Sequence, residues 1–75
     1  MADKHKIKVT TRDRLLRAWE DSMELVRDFE LNSHEIADNS EVAQFFSESA
    51  LAQGLQASKF RELLEKYEGG KDLQG

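Results

Sequence analysis

A repeat in the second half of this chain limits the possible folds more than any other feature. Apolar or small residues recur at steps of four and three through Phe46, Ala50, Gln53, Ala57, Phe60, Leu64 and Tyr67. An average spacing of 3.5 residues is the period of a helix that packs along another helix. Small residues in the middle of the repeat predict that the partner helix approaches most closely there. We therefore predict a long helix from about residue 41 to 67.

The first half of the chain predicts a second amphipathic helix, from about residue 11 to 32. Its apolar stripe steps by three, four and three through Leu16, Trp19, Met23 and Val26. Thr10, followed three residues later by Asp13, is a capping-box arrangement that marks the start of this helix. The predicted fold is therefore an all-α antiparallel hairpin of two helices.

A polar connection, residues 32–40, joins the two predicted helices. Its Asn, Ser and Asp side chains hydrogen-bond the local backbone and favour turns. Either Asp38, with Glu41 three residues later, or Ser40 is predicted to cap the helix that follows.

The two ends of the chain are predicted to lie outside the folding unit, which spans residues 10–68. Residues 1–9 carry three Lys and few apolar side chains, which predicts a flexible basic arm. Residues 69–75 begin with a Gly pair, which is expected to end the helix and leave a disordered tail.

The composition supports an all-α fold and excludes several kinds of chemistry. The 75 residues contain no Pro, only three Val, two Ile and one Tyr, so strand-forming residues are few. No Cys is present, which excludes disulfides, zinc–thiolate sites and thiol chemistry. No apolar run approaches the roughly 20 residues of a membrane span, and residues 1–9 lack the apolar stretch of a signal peptide. We therefore predict a cytoplasmic protein that does not enter a membrane.

A two-helix hairpin covers only one face of each helix, and this chain has apolar residues left over. They are Phe29, Phe45, Leu51 and Leu55. Between Val42 and Ser58 the only formal charge is Glu48, fewer than a solvated helix face carries. Small domains without disulfides or metals are commonly stabilised by self-association. We predict an isologous dimer or a tetramer built around a four-helix bundle, with a monomer completed by a third helix as the alternative.

Three residues near the predicted helix–helix contact allow more than one interpretation. Gly54 costs a helix interior about 1 kcal/mol relative to Ala, so it either admits close approach of another helix or is a tolerated kink. Gln53 either fixes the register by pairing with its symmetry mate or reaches solvent. Trp19 is interpreted as a packing residue rather than a binding anchor.

Acidic residues dominate the middle of the chain, but their spacing does not predict a metal centre. Residues 20–48 contain nine carboxylates and one Arg, a formal net charge of −8. A di-metal bundle site needs Glu-x-x-His pairs, and neither His of this chain follows a Glu at that spacing. Glu30 and His34 share a face only if the first helix continues through residues 32–33. No cofactor or metal is predicted, and Glu30 with His34 is the weaker alternative.

Neither an enzyme nor a nucleic-acid-binding protein is predicted. Ser47 and Ser49 flank Glu48, but a two-helix unit offers little room for a catalytic cleft or a small-molecule substrate. The first 14 residues carry a net charge of +3 and the other 61 a net charge of −7. Such an acidic body repels nucleic acid. The arm is interpreted as a solvating tail, or as one that docks on the acidic face of a neighbouring subunit.

Several segments together give the chain a family resemblance over about residues 10–68. They are Leu15, Leu16 and Ser22, the segment DFELNSHEIADNSEVAQFF with its Phe29–Glu30–Leu31 turn entry, and Ala50, Gln53, Ala57, Leu63 and Leu64. This pattern resembles small uncharacterised bacterial helical-hairpin proteins, of the domain-of-unknown-function kind. It is more loosely similar to half of a ferritin-like or rubrerythrin-like bundle. That likeness implies a di-iron site, although the Glu-x-x-His pairs are missing here.

The leading functional hypothesis is a non-enzymatic, self-associating hairpin that acts as an assembly or adaptor module. Its partner is a second copy or another helical protein. The contacts are predicted to be made by the stripe and the repeat named above: Leu16, Trp19, Met23 and Val26 with Phe46, Ala50, Gln53, Ala57, Phe60, Leu64 and Tyr67. The alternative is a degenerate ferritin-like metal-binding bundle formed across a dimer, with Glu30 and His34 joined by Glu41 or Glu48.

Overall fold

The computed structural model describes residues 9–74, with side chains as far as Glu68. It contains two α-helices, α1 (Thr11–Glu35) and α2 (Ser40–Gln74), and no β-strand within those residues. The two helices pack against each other, so the predicted all-α hairpin is confirmed. The arm predicted for residues 1–9 lies outside the described residues except for Val9, which is exposed and non-helical.

The start of α1 is fixed by the capping box that the sequence predicts. The Asp13 N–H donates to Thr10 Oγ1 at 3.1 Å, and the Thr10 N–H donates to the Asp13 carboxylate at 3.2 Å. The hydrogen bond from the Thr10 backbone is the largest cause of a lowered pKa at Asp13. Two N–H groups that lack a partner within the helix are thereby satisfied.

The sequence predicts that α1 ends at about residue 32, but the helix extends further. The helix continues through Asn32 and Ser33 to Glu35. The Ile36 N–H donates to the Asn32 carbonyl at 3.0 Å and closes a last turn. Asn and Ser each cost a helix well under 1 kcal/mol relative to Ala, so this one turn is inexpensive to add.

Asn39 caps α2, so the prediction of Asp38 or Ser40 is wrong. The Val42 N–H donates to Asn39 Oδ1 at 3.1 Å, and the Ala43 N–H donates to the Asn39 carbonyl at 3.0 Å. Because α2 begins at Ser40, Asn39 occupies the N-cap position, where Asn is among the most favourable residues.

The far end of α2 also differs from the prediction. The helix continues past Tyr67 to Gln74, so residues 69–74 are helical rather than a disordered tail, and Gly75 lies outside the described residues. A Gly ends a helix by adopting a left-handed conformation, but no described Gly has a positive φ. Without that conformation the Gly pair costs the helix about 1 kcal/mol per residue and does not stop it.

The hairpin is a single layer with very little interior. Over residues 9–74, two packed helices form one layer, in which each helix has only the other as its neighbour. Among the described residues the buried apolar side chains are Ala50, Ala57 and Leu64, and no large side chain is fully buried. Globular domains bury their apolar surface between at least two layers, so this fold leaves most of its apolar surface uncovered.

Neither helix has a stretch within the described residues that is long and apolar enough to cross a membrane.

Candidate interface on the helical hairpin

Three side-chain contacts fix how α1 lies on α2. They are Arg12 with Glu68, Trp19 with Arg61, and Phe29 with Phe46. The Arg61 guanidinium lies 5.0 Å from the Trp19 ring centroid, and the two phenyl centroids are 5.7 Å apart at an interplanar angle of 59°. Positions rise along α1 as they fall along α2, so the helices are antiparallel. We call the end near Arg12 and Glu68 the open end, and the end at residues 36–39 the loop end.

The predicted repeat of α2 divides into two sets with different burial. Every seventh residue, Ala50, Ala57 and Leu64, is buried, with Ala57 only 2% exposed. The alternate residues Phe46, Gln53 and Phe60 are half-buried, and Tyr67 is exposed. The small side chains therefore lie where α1 approaches most closely. The alternate set extends onto a side of α2 that α1 covers only in part.

The four stripe residues of α1 are half-buried, and the residue most buried on α1 is Ser22. The register set by the three contacts places Ser22 at the level of Ala57, so two small residues meet where the helices are closest. The sequence contained a signal for this position that the predicted stripe missed. Leu15, Ser22, Phe29 and Ile36 are spaced by seven residues, and all of them are buried or half-buried.

Phe29 belongs to the hairpin itself and is not one of the uncovered residues. Its ring is half-buried and packs on Phe46 near the loop end. A tilted aromatic pair at this separation contributes about 0.5–1.5 kcal/mol beyond its buried area. The expectation that Phe29 needs a partner outside the chain is therefore wrong.

Five exposed apolar side chains lie on one side of the hairpin, whereas exposed Leu31, Leu51 and Leu55 lie elsewhere. On α2, Val42, Phe45 and Leu63 are exposed and follow one stripe at helical spacing, with Phe45 67% exposed. Tyr67 lies beside them at the open end, and Leu25 is the exposed apolar residue on the adjoining side of α1. We call this set, Leu25, Val42, Phe45, Leu63 and Tyr67, the Phe45 face.

The opposite side of the hairpin is closed by polar contacts. Arg61 lies over Trp19, and Arg12 forms an ion pair with Glu68. Gly54 lies on this Arg61 side by helical periodicity. A Cβ added at Gly54 would meet nothing within 4 Å, so close approach of α1 does not explain this glycine.

Two further exposed leucines, Leu51 and Leu55, lie on the surface of α2 that points away from α1. They are separated from the Phe45 face by about a quarter of a turn or more. Leu55 is 75% exposed, more than Phe45. Leu55 therefore serves as a control position for substitutions at Phe45, because it is at least as exposed and lies outside the Phe45 face.

The alternative of a metal site at Glu30 and His34 required α1 to continue through residues 32–33. The helix does so, but the set of ligands is incomplete. Because α1 continues to Glu35, Glu30 and His34 lie one turn apart on the same helix. Both are exposed. No group of three or more His, Asp or Glu side chains in the described part of the chain is arranged to hold a metal ion.

No family model matches this chain, and no match exists among the curated proteins or the solved structures compared with it. The resemblance to bacterial helical-hairpin proteins therefore stays a prediction. Function must be inferred from the geometry of the hairpin, in which one apolar face is only partly covered.

Proposed function

We propose that this chain is a non-enzymatic assembly module that self-associates, with a second copy covering the Phe45 face to form a four-helix bundle. The observation that supports this proposal is the division of the α2 repeat. One set of the repeat is buried by α1, whereas the other adjoins exposed Phe45 and Leu63. A helix with two adjacent apolar stripes is typical of a bundle in which it has two neighbours.

The single-layer arrangement supports the same proposal. Each helix has one neighbour in the described part of the chain, so a side chain such as Phe45 that points away from that neighbour is left exposed. Burying apolar surface stabilises by about 25 cal/mol per Å², and a standard interface buries about 800 Å² on each partner. Single exposed apolar residues are common on protein surfaces, so the support here is that five of them lie on one side of the hairpin.

The alternative function, a metal-binding bundle, would also require two copies. Glu30 and His34 supply two ligands, and no described group within one chain supplies three. Any metal centre would therefore need carboxylates such as Glu41 or Glu48 from the other copy. Self-association in a chelator distinguishes the two functions, because the apolar bundle needs no metal.

The test is the absolute mass in solution, measured by light scattering after gel filtration in a chelator and then with added iron. We expect at least twice the 8.6 kDa of one chain under both conditions. A compact monomer under both conditions would overturn self-association. Assembly that occurs only with iron, and is lost in His34→Ala, would replace the proposal with the metal-binding bundle.

A further inference from the structure

We propose that the second copy packs on α2 alone, so that the two α2 helices lie against each other at the centre of the dimer and each α1 lies on the outside. This inference rests on the proposed self-association and adds which helix makes the interface. It is carried by the difference between α1 and α2 on the side of the hairpin that bears the Phe45 face.

On this side, α2 presents a long stripe without formal charge. Its residues follow one another at steps of three and four, the spacing of one face of a helix. They are Val42, Phe45, Ser49, Ala52, Gln56, Phe60, Leu63 and Tyr67. The stripe is about 37 Å long at 1.5 Å per residue, and Phe45 and Leu63 within it are exposed. It therefore offers a second helix a continuous surface that contains no ion.

The corresponding stripe of α1 is polar. Leu25, which is 37% exposed, lies on this stripe between Asp21, four residues before it, and Asp28, three residues after it. Both aspartates are exposed, and Asn32 follows one turn after Asp28. On this side α1 therefore offers a partner one leucine between two carboxylates.

The two aspartates disfavour the arrangements that bring α1 into the interface. If α1 lay on α1 of the partner subunit, the stripe with Asp21 and Asp28 would face a copy of itself, and like charges would oppose each other. If α1 lay on α2 of the partner subunit, the two carboxylates would lose water against an uncharged stripe, which is costly for an ion. Contact through α2 alone leaves both carboxylates in water.

The composition of the two whole helices supports the same assignment. Of the 25 residues of α1, 11 are charged, whereas Glu48 is the one charged residue of α2 between Val42 and Ser58. Of the large apolar side chains that are exposed in the described parts of the two helices, six lie on α2 and two on α1. A helix with one apolar face suits one neighbour, and a helix that is apolar on more sides is typically covered on more sides.

Leu25 and Leu63 form a matched pair for the test, because each is 37% exposed and they lie on different helices. We expect Leu63→Ser to raise the dimer dissociation constant roughly 10-fold, through the loss of a leucine buried by the second copy. Leu25→Ser should change that constant by less than about twofold, since Leu25 stays outside the interface. Sedimentation equilibrium measures both constants, and circular dichroism checks that both variants remain helical.

A distance measurement tests the same inference without altering the interface. The chain has no Cys of its own, so Glu24→Cys carries a single spin label at an exposed position near the middle of α1. Packed helices lie 8–10 Å apart. With two α2 helices between them, the α1 helices are up to three such spacings apart, and we expect roughly 25–30 Å between the labels by pulsed dipolar spectroscopy. Adjacent α1 helices would give less than about 20 Å.

The outcomes separate this inference from the proposed function. An effect of Leu25→Ser at least as large as that of Leu63→Ser, or a short distance between labels, overturns the central pair of α2 helices. If the protein still has the mass of a dimer, self-association is left standing. A mass of one chain with no dipolar signal overturns both. A dimer weakened by Leu63→Ser but not by Leu25→Ser, with a long distance between labels, supports the inference.

Discussion

Ala50 and Leu51 are neighbours in the chain, yet Ala50 is 4% exposed and Leu51 is 71% exposed. The same contrast runs along all of α2. Ala50 and Ala57 lie beneath α1, whereas the bulky residues Phe45, Leu51 and Leu55 are each more exposed than any residue that contacts it. In a completed fold the bulky apolar residues are usually the most buried. The contrast teaches that small residues mark the closest approach of α1, and under the proposed self-association a second copy covers the bulky residues of the Phe45 face.

The largest loss of stability is expected from Ala57→Glu, on the surface of α2 that α1 covers. This change places a carboxylate at the closest approach of the two helices, and the cation one turn away, Arg61, is exposed, lies over Trp19 and is already paired with Glu65. An unpaired buried charge costs at least about 3 kcal/mol, which is comparable to the whole stability of a small hairpin. We expect loss of the cooperative thermal transition, followed by circular dichroism.

The control for this change is the next residue, Ser58→Glu, because Ser58 is exposed. Its carboxylate stays in water, and we expect the unfolding free energy to change by less than about 0.5 kcal/mol. If Ala57→Glu left both the mass and the melting temperature unchanged, the packing of α1 on Ala57 would be disproved.

The outer surface is tested by Phe45→Ser, which should weaken self-association and leave the helices folded. Burying a Phe side chain is worth about 1.5–3 kcal/mol, so we expect a 10- to 100-fold increase in the dimer dissociation constant. Leu55→Ser removes a side chain at least as exposed from outside the Phe45 face, and should not change that constant. Sedimentation equilibrium measures both. An equal effect at the two positions would contradict assignment of the interface to the Phe45 face.

Local signals of the sequence predicted the hairpin and one of its caps. The 3.5-residue repeat of α2 requires a helical partner, and Thr10 with Asp13 has the spacing of a capping box. The choice among Asp38, Asn39 and Ser40 could not be made in advance, because all three favour an N-cap. Where α2 begins decides among them, and sequence fixes such boundaries poorly.

The sequence could not show which residues of the α2 repeat are buried by α1 and which are left partly exposed. Ala57 and Phe60 belong to one periodic pattern, and only the position of α1 reveals that the first is buried and the second half-buried. Ser22 was missed because a polar residue does not contribute to an apolar stripe, although its small size suits a close helix crossing. The end of α2 was placed too early because a Gly pair permits a helix to end without requiring it.

A smaller effect, of opposite sign, is expected from Gly54→Ala. The added Cβ meets nothing within 4 Å, and Ala is about 1 kcal/mol more favourable than Gly in a helix interior. We expect chemical denaturation to show a gain of about that size. Because Gly54 lies on the Arg61 side, the dimer dissociation constant should not rise. A weaker dimer would show that the second copy approaches the Arg61 side, and would reassign the interface.

The smallest effect is a pH dependence at the start of α1, remote from the Phe45 face. Hydrogen bonds from Thr10, the backbone bond first, hold the pKa of Asp13 below the 3.8 expected for the unfolded chain. Ionised Asp13 therefore favours the folded state. Its contribution is fully present above about pH 3.8 and is lost as the pH falls through the lowered folded pKa.

Asp13→Ala isolates this contribution, because the other carboxylates titrate equally in both proteins. We expect the unmodified protein to melt at a higher temperature than Asp13→Ala near pH 7, and the pH-dependent part of the difference to vanish in strong acid. A difference that grew as the pH fell would mean that protonated Asp13 is the stabilising form, which the hydrogen bonds from Thr10 do not allow. Since the change alters only the start of α1, dimerisation measured at neutral pH should still respond to Phe45→Ser as strongly as before.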